Sequence, residues 1–131
     1  MNKTPITPWP CSKHIGFDQA RLIHTPSQLL FCAGQTSVDD KGMPLFANDM
    51  AGQISQVFRN IKTILDLSGF QITDIDRLSV FTTDIEATLQ NFDKITGPFA
   101  PKPAAPPITL LEVNRLARVE LVIEIEATAS R

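Results

Sequence analysis

The chain has 131 residues, 43% of them apolar, and a formal net charge of −2. That length suits one domain with a modest core, and that composition excludes a disordered chain. Lys and Arg are scattered with no run of three, so the basic stripe of a nucleic-acid binder is missing.

Two cysteines, Cys11 and Cys32, are too few for a disulfide framework. No apolar stretch approaches a membrane span. Residues 1–13 hold three prolines, two lysines and Trp9, with no continuous apolar segment of the kind a secretory leader needs. The expectation is a single domain over residues 1–131, with an N-terminal arm at 1–12. Its setting would be reducing and cytoplasmic, with no membrane and no nucleic-acid partner.

Within residues 1–13 the sequence predicts an ordered arm or a loose terminus, which Trp9 could anchor. Residues 15–20 and 21–24 suggest a short strand pair or an extended segment, closed by the turn Thr25-Pro26-Ser27. Leu29-Leu30-Phe31-Cys32-Ala33 reads as a central buried strand ending at Gly34-Gln35. Cys32 there is a small buried residue and not a nucleophile. Asp18, Asp39 and Asp40 read as turn residues.

From an N-cap at Asn48 or Asp49, Met50, Ile54, Val57, Phe58, Ile61, Ile64 and Leu65 recur at helical spacing. Gln53, Gln56, Arg59, Asn60, Lys62 and Asp66 fill the other face. Gly69 suits a left-handed C-terminal cap. Residues 74–77 read as a connector, and residues 78–83 alternate as a strand. A shorter helix follows from Asp84 or Thr88, carrying Leu89, Phe92 and Ile95, limited or kinked by Pro98. Residues 101–107 hold four of the ten prolines and predict an extended loop.

Leu110, Leu111 and Val113 form one short apolar run, and residues 122–127 alternate apolar with acidic side chains. Ile123 and Ile125 face one way; Glu124 and Glu126 face the other. The two runs predict neighbouring antiparallel strands. The layout is α+β, a mixed sheet with two helices packed on one face. Two helices cannot cover both faces, so the bare face should pack against copies of the same chain.

These segments resemble the RidA/YjgF family. Gly16-Phe17-Asp18-Gln19-Ala20 is similar to the family's opening motif, without its proline. Leu30-Phe31-Cys32-Ala33-Gly34-Gln35 is similar to its Ser-Gly-Gln strand end, with Ala33 in place of serine. Gln53, Val57, Asn60, Ile61 and Ile64 fit its helix, and Val80-Phe81-Thr82-Thr83-Asp84-Ile85 the strand after it. Asn91 falls where the family has an asparagine. Pro106, Pro107, Thr109, Leu111, Leu116, Ile123, Glu124 and Ile125 fit its C-terminal signature. The signature's arginine is absent, and Ile108 stands at its position.

The resemblance implies a chorismate-mutase-like architecture and a homotrimer with a central barrel. Small molecules would bind in clefts between subunits. It also implies cofactor-free hydrolysis of enamines and imines, such as those from 2-aminoacrylate, to a keto acid and ammonia. In that scheme Glu124 and a backbone carbonyl near Leu110 position the attacking water. Phe17 lines the cleft with Ala33, Asn91, Ile108 and Leu110, and the arginine binds the substrate carboxylate. A guanidinium fork matches a carboxylate bidentately; Ile108 offers neither donor nor charge. Desolvating a carboxylate there without a partner would cost several kcal/mol.

Each residue has a plainer reading. Glu124 is a solvent-facing strand residue or the water-positioning acid. Ile108 extends the core or reshapes a pocket. Arg115 and Arg118 are solvated loop cations or replacements for the missing charge. His14 and His24 are too isolated for a metal pair, and there is no Cys-x-x-Cys, so no metal is expected. Two functions remain open. One is a hydrolytic deaminase, impaired toward amino-acid-derived imines or redirected to a substrate without a carboxylate. The other is a trimer that binds a small apolar metabolite without chemistry. The acidic balance and the lack of a His/Lys/Arg cluster argue against the endoribonuclease activity also associated with the family.

Overall fold

The computed structural model describes residues 2–100 and 102–131. Met1 of the expected arm and Pro101 of the expected proline-rich loop lie outside them. In chain order the elements are β1 (Asn2–Ile6), α1 (Cys11–Ile15), β2 (Ala20–His24), β3 (Leu29–Thr36) and α2 (Met50–Ser68). A 3-10 turn at Ile72–Asp74 leads into β4 (Ile75–Thr82). Then come α3 (Ile85–Gln90), α4 (Phe92–Thr96), a 3-10 turn at Gly97–Phe99, β5 (Ile108–Glu112) and β6 (Ile123–Ser130). The architecture is α+β: a four-stranded mixed sheet in the order β3-β6-β4-β5, plus a two-stranded sheet of β1 and β2.

Helix α2 starts where Asp49 Oδ1 accepts from the Gly52 N–H at 3.0 Å. It stops at Gly69, whose φ of +75° is left-handed. Ile54, Val57, Ile61 and Leu65 are buried and join one cluster with Ile123, Ile125, Ala127 and Ala129 of β6 and with Leu78 and Val80 of β4. Full burial of each such large aliphatic side chain stabilises the fold by roughly 1.5–3 kcal/mol.

Several expectations are corrected. Residues 2–6, not 15–20, are the partner of residues 20–24: β1 and β2 pair antiparallel, Asn2 against His24 and Ile6 against Ala20. Between them lies α1, closed by Gly16 at φ +104°. The clasp that holds this small sheet is ionic. Lys3 Nζ lies 2.8 Å from Asp76 Oδ1 and donates to the carbonyls of Asp74 and Ser130. Arg21 pairs with Asp18 at 2.8 Å and donates to the Ile75 carbonyl. Asp18 is therefore a buried ion-pair partner and not a turn residue.

Strand β3 is an edge strand, not a central one. Its run is apolar on both faces, yet Leu29 and Phe31 stand 57% and 74% exposed. Strand β4 begins at Ile75, inside the expected connector. The expected second helix is two, divided at Asn91, whose Nδ2 donates to the Ala87 carbonyl at 2.8 Å.

Strands β5 and β6 are not neighbours. Strand β4 lies between them, parallel to β5 and antiparallel to β6. A parallel partner needs a long crossover, and α3, α4 and the irregular residues 102–107 supply it. The loop after β5 then steps over the end of β4. The Val113 N–H donates to the Thr82 carbonyl on one side, and the Thr83 N–H to the Val122 carbonyl on the other. The apolar runs specify which residues face the core, but not which strand comes between.

Candidate functional site

Strand β6 presents two faces. Ile123, Ile125, Ala127 and Ala129 point into the core beneath α2. Glu124, Glu126 and Thr128 alternate with them and lie on the open face. Around them on that face stand Leu29, Phe31 and Ala33 of β3, Phe81 of β4 and Leu111 of β5. Glu124 lies opposite Phe81, which in turn lies opposite Leu111. An acidic group thus sits among exposed apolar side chains.

Glu124 is half-buried, and the cause is local. The pairing of β3 with β6 slips between Cys32 and Gln35, so Ala33 and Gly34 sit in a bulge. A Cβ on Gly34 would lie 2.7 Å from Glu124 Cδ. Only glycine lets the carboxylate lie down against the bulge. Glu124 takes part in no ion pair among the described residues. Burial raises the pKa of the neighbouring Cys32 thiol, which keeps it an unreactive core residue.

The other residues implied by the resemblance fall elsewhere in the protomer. Phe17 bridges to Ala105 just ahead of β5 and meets Phe92 edge-on, ring centroids 6.2 Å apart. Ile108 and Leu110 face the core side of β5 and pack on the central cluster. Ile108 pairs with Leu78, three residues before the Phe81 that faces Glu124. The structure brings Ala33, Gly34 and Glu124 together, and separately Phe17 with the start of β5. The two groups are two strands apart, roughly 10 Å across the sheet, and face opposite ways. Asn91 is half-buried at the α3–α4 junction. Arg115 and Arg118 are exposed, and Arg115 Nε donates to the Leu116 carbonyl at 3.3 Å.

Two polar residues matter more than their sequence positions suggest. Gln53, expected on the solvated face of α2, is 0% exposed. Its Nε2 donates to the carbonyls of Phe46 and Glu120, and its Oε1 accepts from the Val122 N–H. It therefore pins the loop that carries the chain into β6. Asn60 donates to the carbonyls of Thr36 and Val38, fixing the end of β3. Both anchor the strands on either side of the Gly34–Glu124 contact. Gln53 and Asn60, unlike Gln56 on the same face, fit the helix pattern of the resemblance, and that was the available signal.

Comparison with known proteins gives this fold a lineage. Residues 19–131 match the family described as endoribonuclease L-PSP. A RutC family protein of Pyrococcus horikoshii is 34% identical over 105 residues, 76% of this chain and 77% of that one. A 2-iminobutanoate/2-iminopropanoate deaminase of Salmonella typhimurium is 33% identical over 109 residues, 79% of this chain and 80% of that one. The crystal structure of a Rid-family protein of unknown function from Yersinia pestis superposes with a TM-score of 0.83 over the whole of both chains, at 28% identity. The chain belongs to the RidA/YjgF family, the endoribonuclease L-PSP group. No helix among the described residues is long and apolar enough to cross a membrane.

Proposed function

We propose that this protein is a homotrimer whose open sheet faces build a central barrel, with a small-molecule cleft between neighbouring subunits. Glu124 is its water-positioning acid. The observation that carries the reading is the division of the site. Glu124 with Ala33 and Gly34, and Phe17 with Ile108 and Leu110, do not meet within one protomer. A second copy could set one group against the other. The exposed Leu29, Phe31 and Leu111 are the kind of apolar surface such an assembly covers.

The reaction class is cofactor-free hydrolysis of an imine or enamine, as the deaminase relative's name suggests. The Glu124 carboxylate would accept a proton from water as it adds to the imine carbon and pass it to the nitrogen; the carbinolamine hydroxyl would then give up its proton to the departing amine, releasing ammonia as the C=O forms. Ile108 changes the substrate preference. No guanidinium stands there to hold a carboxylate, so turnover of amino-acid-derived imines is weak, or directed to substrates without that group. A second reading, a trimer that binds a small metabolite without chemistry, is favoured by the packing of Ile108 and Leu110 on the core. In that arrangement neither side chain offers a polar handle to a substrate.

The test is ammonia release from 2-iminobutanoate and 2-iminopropanoate generated in situ. Wild type should be slow, Ile108→Arg faster by about 10–100-fold in kcat/KM, and Glu124→Gln inactive in either background. Rapid wild-type turnover would overturn the role given to Ile108. An inactive Ile108→Arg that still binds the keto-acid product would favour the binding-only reading.

A further inference from the structure

On the helix side of the sheet, away from Glu124, a groove of about 620 Å³ runs between α2 and the two 3-10 turns. Its apolar lining is Phe58 and Leu65 of α2, Phe70, Ile72 and Pro98. The walls are braced from behind. Phe58 packs edge-on against the buried Phe99 at 6.4 Å between ring centroids. Phe70 is 6% exposed and carries the Arg131 guanidinium over its ring, 5.0 Å from the centroid. The groove's volume is that of a small-molecule site.

Two cations, Arg59 and Lys62, stand one helical turn apart along the same rim. They differ in what they already hold. Lys62 is neutralised by Asp66 at 2.7 Å. Arg59 has no carboxylate partner among the described residues, and its one side-chain hydrogen bond there is a long one, 3.4 Å to the Gln56 amide oxygen. A guanidinium with most of its fork free, beside an apolar trough, suits one kind of ligand. That ligand has an apolar body and a single acid group.

We infer that this groove is a second binding site, for apolar monocarboxylates. The ring or chain lies along Phe58, Phe70 and Ile72, and the carboxylate is held by Arg59. The site is distinct from the inter-subunit cleft, because none of Phe17, Ala33, Asn91, Ile108, Leu110 and Glu124 lines it.

The probe is 4-phenylbutyrate, with the neutral 4-phenylbutan-1-ol as its control, titrated by calorimetry and by amide chemical shifts in the full chain. The acid should bind with a Kd on the order of 1 mM or tighter and at least about tenfold more tightly than the alcohol. The shifts should centre on Arg59, Lys62 and residues 71–73. Arg59→Gln, a change at an exposed position, should bring the acid down to the affinity of the alcohol. Glu124→Gln, on the opposite face of the sheet, should leave the acid's affinity unchanged. Equal binding of acid and alcohol, an Arg59→Gln variant that binds as wild type does, shifts centred on the Glu124 face, or no shifts at millimolar probe would each overturn the site.

Discussion

The two faces of β6 are built from one run of residues and meet opposite fates. Ile123 and Ile125 are 0% exposed under α2, while Glu124 and Glu126, between and beyond them, look out over a surface where Phe31 and Leu111 are 74% and 51% exposed. The helix face is finished by the chain itself. The open face sets exposed Leu29, Phe31 and Leu111 among polar side chains, and its own chain covers it only in part. The charged group that the proposed chemistry needs is on the unfinished face, where a bulge and a glycine, not a packed core, set its position. In the proposed reading, stability and chemistry are thus divided between odd and even positions of one strand.

That division is open to direct attack. Ile125→Ala removes buried methylenes from the finished face, where α2 and β4 cannot collapse onto the space. It should cost about 2–5 kcal/mol of unfolding free energy. Chemical denaturation measures this, and a loss under about 1 kcal/mol would mean the helix face is looser than the burial of Ile125 implies.

The next effect is smaller and sharpens the boundary between the faces. Gln53→Leu keeps the volume but leaves the Val122 N–H without its acceptor, and takes one of two donors from each of the Phe46 and Glu120 carbonyls. The expected loss is about 1–3 kcal/mol. Because Gln53 holds the loop into β6, amide exchange should quicken at residues 120–124 and not in the middle of α2. Uniform quickening would assign Gln53 to general packing.

How much of this was written in the sequence depends on the length scale. The repeat of Ile54, Val57, Ile61 and Leu65, with Asp49 before it and Gly69 after it, specified α2 by local physics alone. The alternation at 122–127 likewise placed Ile125 in the core and Glu124 outside. Periodicity assigns a side to each residue and says nothing about neighbours, so the insertion of β4 between β5 and β6 was invisible. The pairing of residues 2–6 with 20–24 was hidden for a similar reason. Its strands are mostly exposed, and Lys3 and Arg21 meet their carboxylates only after folding. A buried glutamine is spelled like a solvated one, so Gln53 was assigned to the wet face. At the site, the resemblance supplied Glu124 and Ile108, but not that they face opposite ways two strands apart. In the proposed trimer, a second copy would bring the two groups together.

The smallest change in protomer stability is expected from Phe31→Ser, and it bears most directly on the comparison. The side chain already meets solvent in the single chain, so its loss should move the unfolding free energy of the dissociated protomer by no more than about 0.5 kcal/mol. In the proposed trimer the same ring would be buried at three equivalent contacts, where an aromatic anchor is worth about 2 kcal/mol or more each. Light scattering should therefore give three chains for wild type and one for Phe31→Ser, with matching far-ultraviolet spectra. Imine turnover should fall with the assembly, although Phe31 has no part in the chemistry. A wild type that scatters as one chain at every concentration would leave the open face without its proposed cover. A Phe31→Ser trimer would instead move the weight of the interface to Leu29 and Leu111.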